Sequence, residues 1–176
     1  LSNALAGHPA YEITQGEVRL EDGVHMELES PVWSGVEDLF PENGVYLSDK
    51  QQEGVAVAQD SERVLPAGVY GDVSLASNAT LRLTGGTYDF LNLALGSGSA
   101  VLCEQATVLR IRDRLYPGTK AYLGPAGDAG LGPDAVAVYI NGLNGKKGEL
   151  DDKPWAAEIG EGNRVAARIH VKNGTL

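Results

Sequence analysis

The sequence predicts an all-β chain: a right-handed parallel β-helix, or β-solenoid, with about 21 residues per coil and a non-repetitive N-terminal cap. Three observations carry this. Ala79-Thr80-Leu81, Ala100-Val101-Leu102 and Ala121-Tyr122-Leu123 recur at a step of 21 residues. Thr87-Tyr88-Asp89-Phe90 returns as Val108-Leu109-Arg110-Ile111 at the same step. Finally, 23 glycines with 6% aromatics make a turn-rich composition with few long helix formers. The right hand is the general expectation for parallel crossovers.

Residues 1–64 lack the repeat and are read as the cap that covers an otherwise open first coil. Val18-Arg19-Leu20 and 24–28 alternate like short strands, as do 44–47 and 54–58. Ser34 is placed to cap a brief helical turn that Pro41 stops. The coils begin at about Leu65. Gly68-Val69-Tyr70 matches Gly86-Thr87-Tyr88 at a step of 18. Leu81, Leu83, Tyr88, Phe90, Leu93 and Leu95 are expected inside, followed one coil later by Leu102, Leu109 and Ile111, with corners at Asn78, Ser99 and Gly118.

After Leu123 the step fails, then resumes. Val138-Tyr139-Ile140 echoes Leu109-Arg110-Ile111 at 29 residues, Ala157 takes the place of Leu93, and Val165 that of Val101. The reading is one coil of the 65–176 solenoid swollen by insertions at 124–134 and 144–154, both rich in Gly, Pro and charge. Insertions of this kind often carry a solenoid's function. Asn173-Gly174-Thr175-Leu176 copies Asn78-Ala79-Thr80-Leu81, so the chain stops as a new coil begins. Truncation is expected, or end-to-end pairing with another copy.

Charge narrows the partners. The net charge of −10, from 24 acidic and 14 basic residues, opposes nucleic acid and anionic membranes. No apolar run is long enough to span a bilayer. The single cysteine, Cys103, permits no internal disulfide, and its apolar context reads as a buried structural thiol.

The candidate site residues form two groups. Arg110, Arg112 and Arg114 alternate, which places them on one outer strand face: either a cationic stripe for an acidic polysaccharide or a solvated, charge-balanced face with Asp89 one rung below Arg110. In the second insertion, Lys146 and Lys147 precede Trp155, which stacks on a sugar or closes the loop onto the coil. Glu149, Asp151 and Asp152 match no calcium-loop spacing and have Lys146, Lys147 and Lys153 beside them, so no metal is assigned. His8, His25 and His170 show no zinc spacing. Gly96-Ser97-Gly98 is not a nucleophile elbow. No catalytic residue and no cofactor are assigned.

The phrases 65–73 and 83–88, with Tyr122-Leu123-Gly124-Pro125, Tyr139-Ile140-Asn141-Gly142 and 173–176, resemble a β-helix module of large secreted bacterial surface proteins. The resemblance covers about residues 64–176 and rests on structural motifs. It implies a fold and an extracellular or cell-surface setting, but no activity. Locally, Leu-Pro-x-Gly-Val-Tyr and Leu-Thr-Gly-Gly-Thr also resemble ice-binding solenoids. Thr80, however, is followed at the repeat step by Val101 and Tyr122, which breaks the threonine ladder such proteins use. Asp89 with Arg110 is a thin likeness to pectate-lyase-like β-helices. The function expected is therefore a non-catalytic structural or adhesive surface module, with a polysaccharide or another surface protein as partner. The alternative is a polysaccharide lyase or hydrolase on the same scaffold.

Overall fold

The computed structural model describes residues 47–149, 152–172 and 174. The strand and helix readings within 1–46, and the terminal Asn-Gly-Thr-Leu phrase with its end-pairing at Leu176, lie outside the described residues, Gly174 apart.

Among the described residues every strand pairing is parallel, and they form a β-solenoid of stacked coils. The smaller sheet stacks β2 (Glu62–Leu65), β5 (Thr80–Leu83), β7 (Ala100–Cys103), β9 (Tyr122–Pro125) and β11 (Arg164–Val165). The larger sheet holds β1 (Val55–Val57), β3 (Gly68–Val69), β4 (Val73–Leu75), β6 (Gly86–Leu95), β8 (Thr107–Pro117), β10 (Val136–Ile140) and β12 (Arg168–Val171). It has two halves. In the first, β3, the start of β6, the start of β8, β10 and β12 stack. In the second, β1, β4 and the ends of β6 and β8 stack, followed by a bridge from Leu115 to Ala157. The two halves meet at a bend, where the β6–β8 register shifts between Phe90 and Asn92.

Period-two alternation explains the core. Leu81 and Leu83, Tyr88 and Phe90, and Leu93 and Leu95 all point inward and are buried, as predicted. Tyr88 is fully buried because its hydroxyl donates to the Leu65 carbonyl at 2.9 Å. Burying each such side chain stabilises the fold by roughly 1.5–3 kcal/mol. Cys103 is buried in the same core, and burial raises its thiol pKa from 9.0 to about 11.

The repeat is less uniform than the sequence phrases suggest. The step is 18 residues at Glu62↔Thr80 and 20 at Thr80↔Ala100. It becomes 21 at Gly86↔Thr107, 22 at Asn92↔Arg114, and stays 22 at Ala100↔Tyr122. The rise from 18 to 20 comes at the corner after β5, where Leu83 and Tyr88 lie five residues apart against three for Leu65 and Gly68, and two insertions of one residue then take it from 20 to 22. The corner after β7 is longer than the corner after β5, and Arg112-Asp113 stand against the single residue Leu91 at the bend. Three expectations are corrected accordingly. Leu81 pairs with Val101, so Val101 is the inward residue and Leu102 faces out beside Arg82. Gly68 pairs with Tyr88, a step of 20 rather than 18. The ladder also already includes β1 and β2, so regular coiling starts ahead of Leu65.

One corner column is set by backbone conformation. Asp60, Asn78, Gly98, Lys120 and Gly162 all have positive φ, between 53° and 69°. In four of these turns the residue after the left-handed position donates its N–H three residues back, as Ala79 N–H does to the Ala76 carbonyl at 3.2 Å. A positive φ at the third residue is the type II signature. The corners fall where expected, at Asn78, Ser99 and Gly118, and within the last two the left-handed residue itself is Gly98 and Lys120.

The swollen coil follows the predicted path. Val138 stacks on Leu109 at 29 residues, and Ala157 stacks on Leu115, which stacks on Leu93. Val165 stacks on Leu123 and so completes the column of Val101. The first insertion starts later than expected. Gly124 and Pro125 belong to β9, and Ala126 N–H still donates to the Cys103 carbonyl at 2.8 Å.

Candidate functional site

The three arginines do not form one stripe. All point outward, but β8 turns through the bend beneath them. Arg110 lies on the first half of the larger sheet between Asp89 and Tyr139, and Arg114 on the second half beside Asn92. Arg112 sits on the bend itself.

Each guanidinium has a local partner. Arg110 Nη2 donates to Asp89 Oδ2, and Asp89 is 2% exposed. Arg112 Nη1 donates to the Ser48 carbonyl at 2.8 Å. Arg114 Nη2 donates to the Leu143 carbonyl at 3.1 Å and to the Gly145 carbonyl. Two of the three arginines thus hold chain segments against the coil, and the third ties adjacent rungs. The same holds on the smaller sheet, where Arg82 reaches Glu62 at 3.0 Å and Glu104 at 3.5 Å.

The second insertion is rooted at the bend. The coil leaves at Gly142, where an added Cβ would lie 1.6 Å from the Asp113 carbonyl oxygen, so only glycine fits. It returns at Ala156, whose carbonyl accepts from Leu115 N–H at 3.0 Å. Fully buried Asn144 closes the root by accepting Ala156 N–H at 3.0 Å, and Gly145 N–H donates to the Pro154 carbonyl at 2.8 Å. Beyond that root, Lys146 and Lys147 are exposed. Trp155 is half-buried at the loop's end with Lys153 Nζ 4.5 Å from its ring centre, so a cation already occupies one face of the indole. Arg114, Lys146, Lys147 and Trp155 therefore share one loop and its base, while Arg110 stands apart.

A cleft of about 400 Å³ lies at the same bend, lined by Asp49, Lys50, Gln51, Leu91, Arg112 and Asp113. No spacing or motif joins these residues. The register shift that bulges Arg112-Asp113 out over Leu91 brings them to segment 47–53, which stacks beneath Gly71 through the Gly71 N–H to Glu53 carbonyl bond of 2.9 Å.

Among the described residues, no three His, Cys, Asp or Glu side chains converge to hold a metal ion, and no helix is long and apolar enough to cross a membrane. No protein-family model, curated protein or solved structure matches this chain.

Proposed function

We propose that this β-solenoid is a non-catalytic structural and adhesive module of an extracellular or cell-surface protein. The observation that supports it best is how the outer charges are deployed. Arg82, Arg110, Arg112 and Arg114 each bond a neighbouring rung or a chain segment packed on the coil. Charges arranged this way stiffen a scaffold and hold a loop. The contact element of the module is the bend and the loop rooted there, where exposed Lys146 and Lys147 project beyond the coil.

The test is a product assay. The protein is incubated with neutral and acidic polysaccharides, with and without calcium, and both reducing ends and unsaturated products are measured. No product is expected in any reaction, and calcium should leave the melting temperature unchanged. Product formation, or a calcium-dependent rise in melting temperature coupled to it, would overturn the proposal in favour of a polysaccharide lyase or hydrolase on this scaffold.

A further inference from the structure

Charges pair along the rungs but not in the cleft at the bend. Arg82 and Arg110 each find a carboxylate. In the cleft, Lys50 and Asp113 make no ion pair with each other or with any described residue, and neither does the side chain of Gln51 form a hydrogen bond there. Asp49 uses Oδ1 to accept Gln51 N–H at 2.8 Å, which fixes its carboxylate in a local turn. Arg112 uses one Nη on the Ser48 carbonyl. The cleft wall thus presents two carboxylates, a guanidinium, an ammonium and an amide, with most of their hydrogen-bonding capacity directed at solvent. Leu91, 5% exposed, supplies the apolar part.

From this set we infer that the cleft is a binding subsite for one unit of a neutral saccharide. The inference rests on the adhesive-module reading and names its ligand class and its site. An anion would face Asp49 and Asp113, and a cation would face Lys50 and Arg112, so a singly charged ligand meets repulsion from half the wall. Vicinal hydroxyls, each both donor and acceptor, match alternating carboxylates and N–H groups. The C–H face of a sugar ring suits Leu91. The volume of about 400 Å³ lies in the small-molecule range of roughly 300–1,000 Å³. Continuity with the loop strengthens the assignment: Asp113 lines the cleft, while its carbonyl packs on Gly142, where the second insertion leaves the coil. A longer glycan seated in the cleft would run toward that loop.

The experiment is an array of neutral, uronate-containing and sulfated oligosaccharides probed with the whole protein, followed by titration of the best binder at low and high salt. Binding of neutral glycans is expected, with affinity nearly independent of salt because no net charge is neutralised. Asp113→Asn and Gln51→Ala should each weaken it about three- to tenfold, the loss of one ligand hydrogen bond. Both should leave the melting temperature unchanged, since neither side chain bonds to any described residue. Arg82→Ala should bind within about twofold of wild type, an exposed rung pair being worth little. Absence of binding, binding confined to acidic glycans, or neutral binding undiminished in both cleft variants would overturn the cleft assignment. None of these outcomes bears on catalysis, which the product assay decides.

Discussion

The regular rungs and the swollen coil are built from the same ladder but stabilised differently. From β5 to β9, stability comes from stacking: Leu81 on Val101 on Leu123, and Tyr88 on Leu109, with one corner column made by the left-handed residues Asn78, Gly98 and Lys120. Between β9 and β11 the ladder continues through Val138, Ala157 and Val165, but the inward residues become smaller and polar groups take over part of the joining. Asn144 accepts the Ala156 amide, Arg114 reaches two loop carbonyls, and Asn163 Oδ1 accepts the Ala121 amide at 2.8 Å. Apolar stacking can repeat without limit, whereas a loop must be attached by specific hydrogen bonds. Specific bonds are where a solenoid departs from repetition.

The sharpest break of this contrast is in the regular region. Phe90→Ala empties the fully buried centre of β6 and should cost about 3–5 kcal/mol in chemical denaturation. Next is Arg110→Met, which leaves the Asp89 carboxylate buried without its cation. About 3 kcal/mol is expected, the low end for a broken buried pair because the Arg110 side chain keeps 23% exposure. Asn144→Ala should cost about 1–3 kcal/mol through the orphaned Ala156 amide. Its signature should be regional: faster amide exchange across residues 143–156 with β5–β7 unchanged. A substitution of opposite sign closes the series. Lys120 holds φ 56° with a side chain, so Lys120→Gly should stabilise by about 0.5–1 kcal/mol in the same denaturation.

Cys103 adds a pH arm. Its folded pKa is raised by burial to about 11 from 9.0, so the folded state favours the neutral thiol. Below about pH 9 both states are protonated and the thiol has no pH-dependent effect. As pH rises from 9 to 11, the unfolded chain ionises first and stability falls. Cys103→Ala should remove that part of the alkaline decline, which a denaturation midpoint followed against pH would reveal.

The legible parts of the sequence were those where side-chain chemistry repeats with the backbone. Asp89 and Arg110 could be placed on adjacent rungs because the 21-residue step holds there, and the 29-residue jump to Val138 was visible because the alternation of an aliphatic residue, an outward residue and Ile survives it. Leu102 misled because Ala-x-Leu recurs as a phrase while the true register slips by one residue, and an outward leucine reads like an inward one. The left-handed position at Lys120 was hidden because lysine carries no turn signal, although Gly118 marks the same corner. Arg110, Arg112 and Arg114 read as a stripe because alternation says nothing about a bend. The cleft was invisible: Asp49 and Asp113 are separated by three coils of chain, and only the bulge over Leu91 unites them.

The described residues between β9 and β11 form one further coil of the same solenoid, carrying a pinned loop. Residue-resolved amide hydrogen exchange tests it most directly. Leu115, Ala156, Arg164 and Ala166 donate across the swollen coil at 3.0, 3.0, 2.9 and 2.8 Å, to the Ala156 carbonyl, Asn144 Oδ1, and the Ala121 and Leu123 carbonyls. Their protection should fall within about tenfold of that of the regular-rung amides Ala100 and Tyr122, with Lys146 and Lys147 exchanging as free amides. Exchange of all four at the rate of the loop lysines would contradict the account, because the ladder would then end at β9.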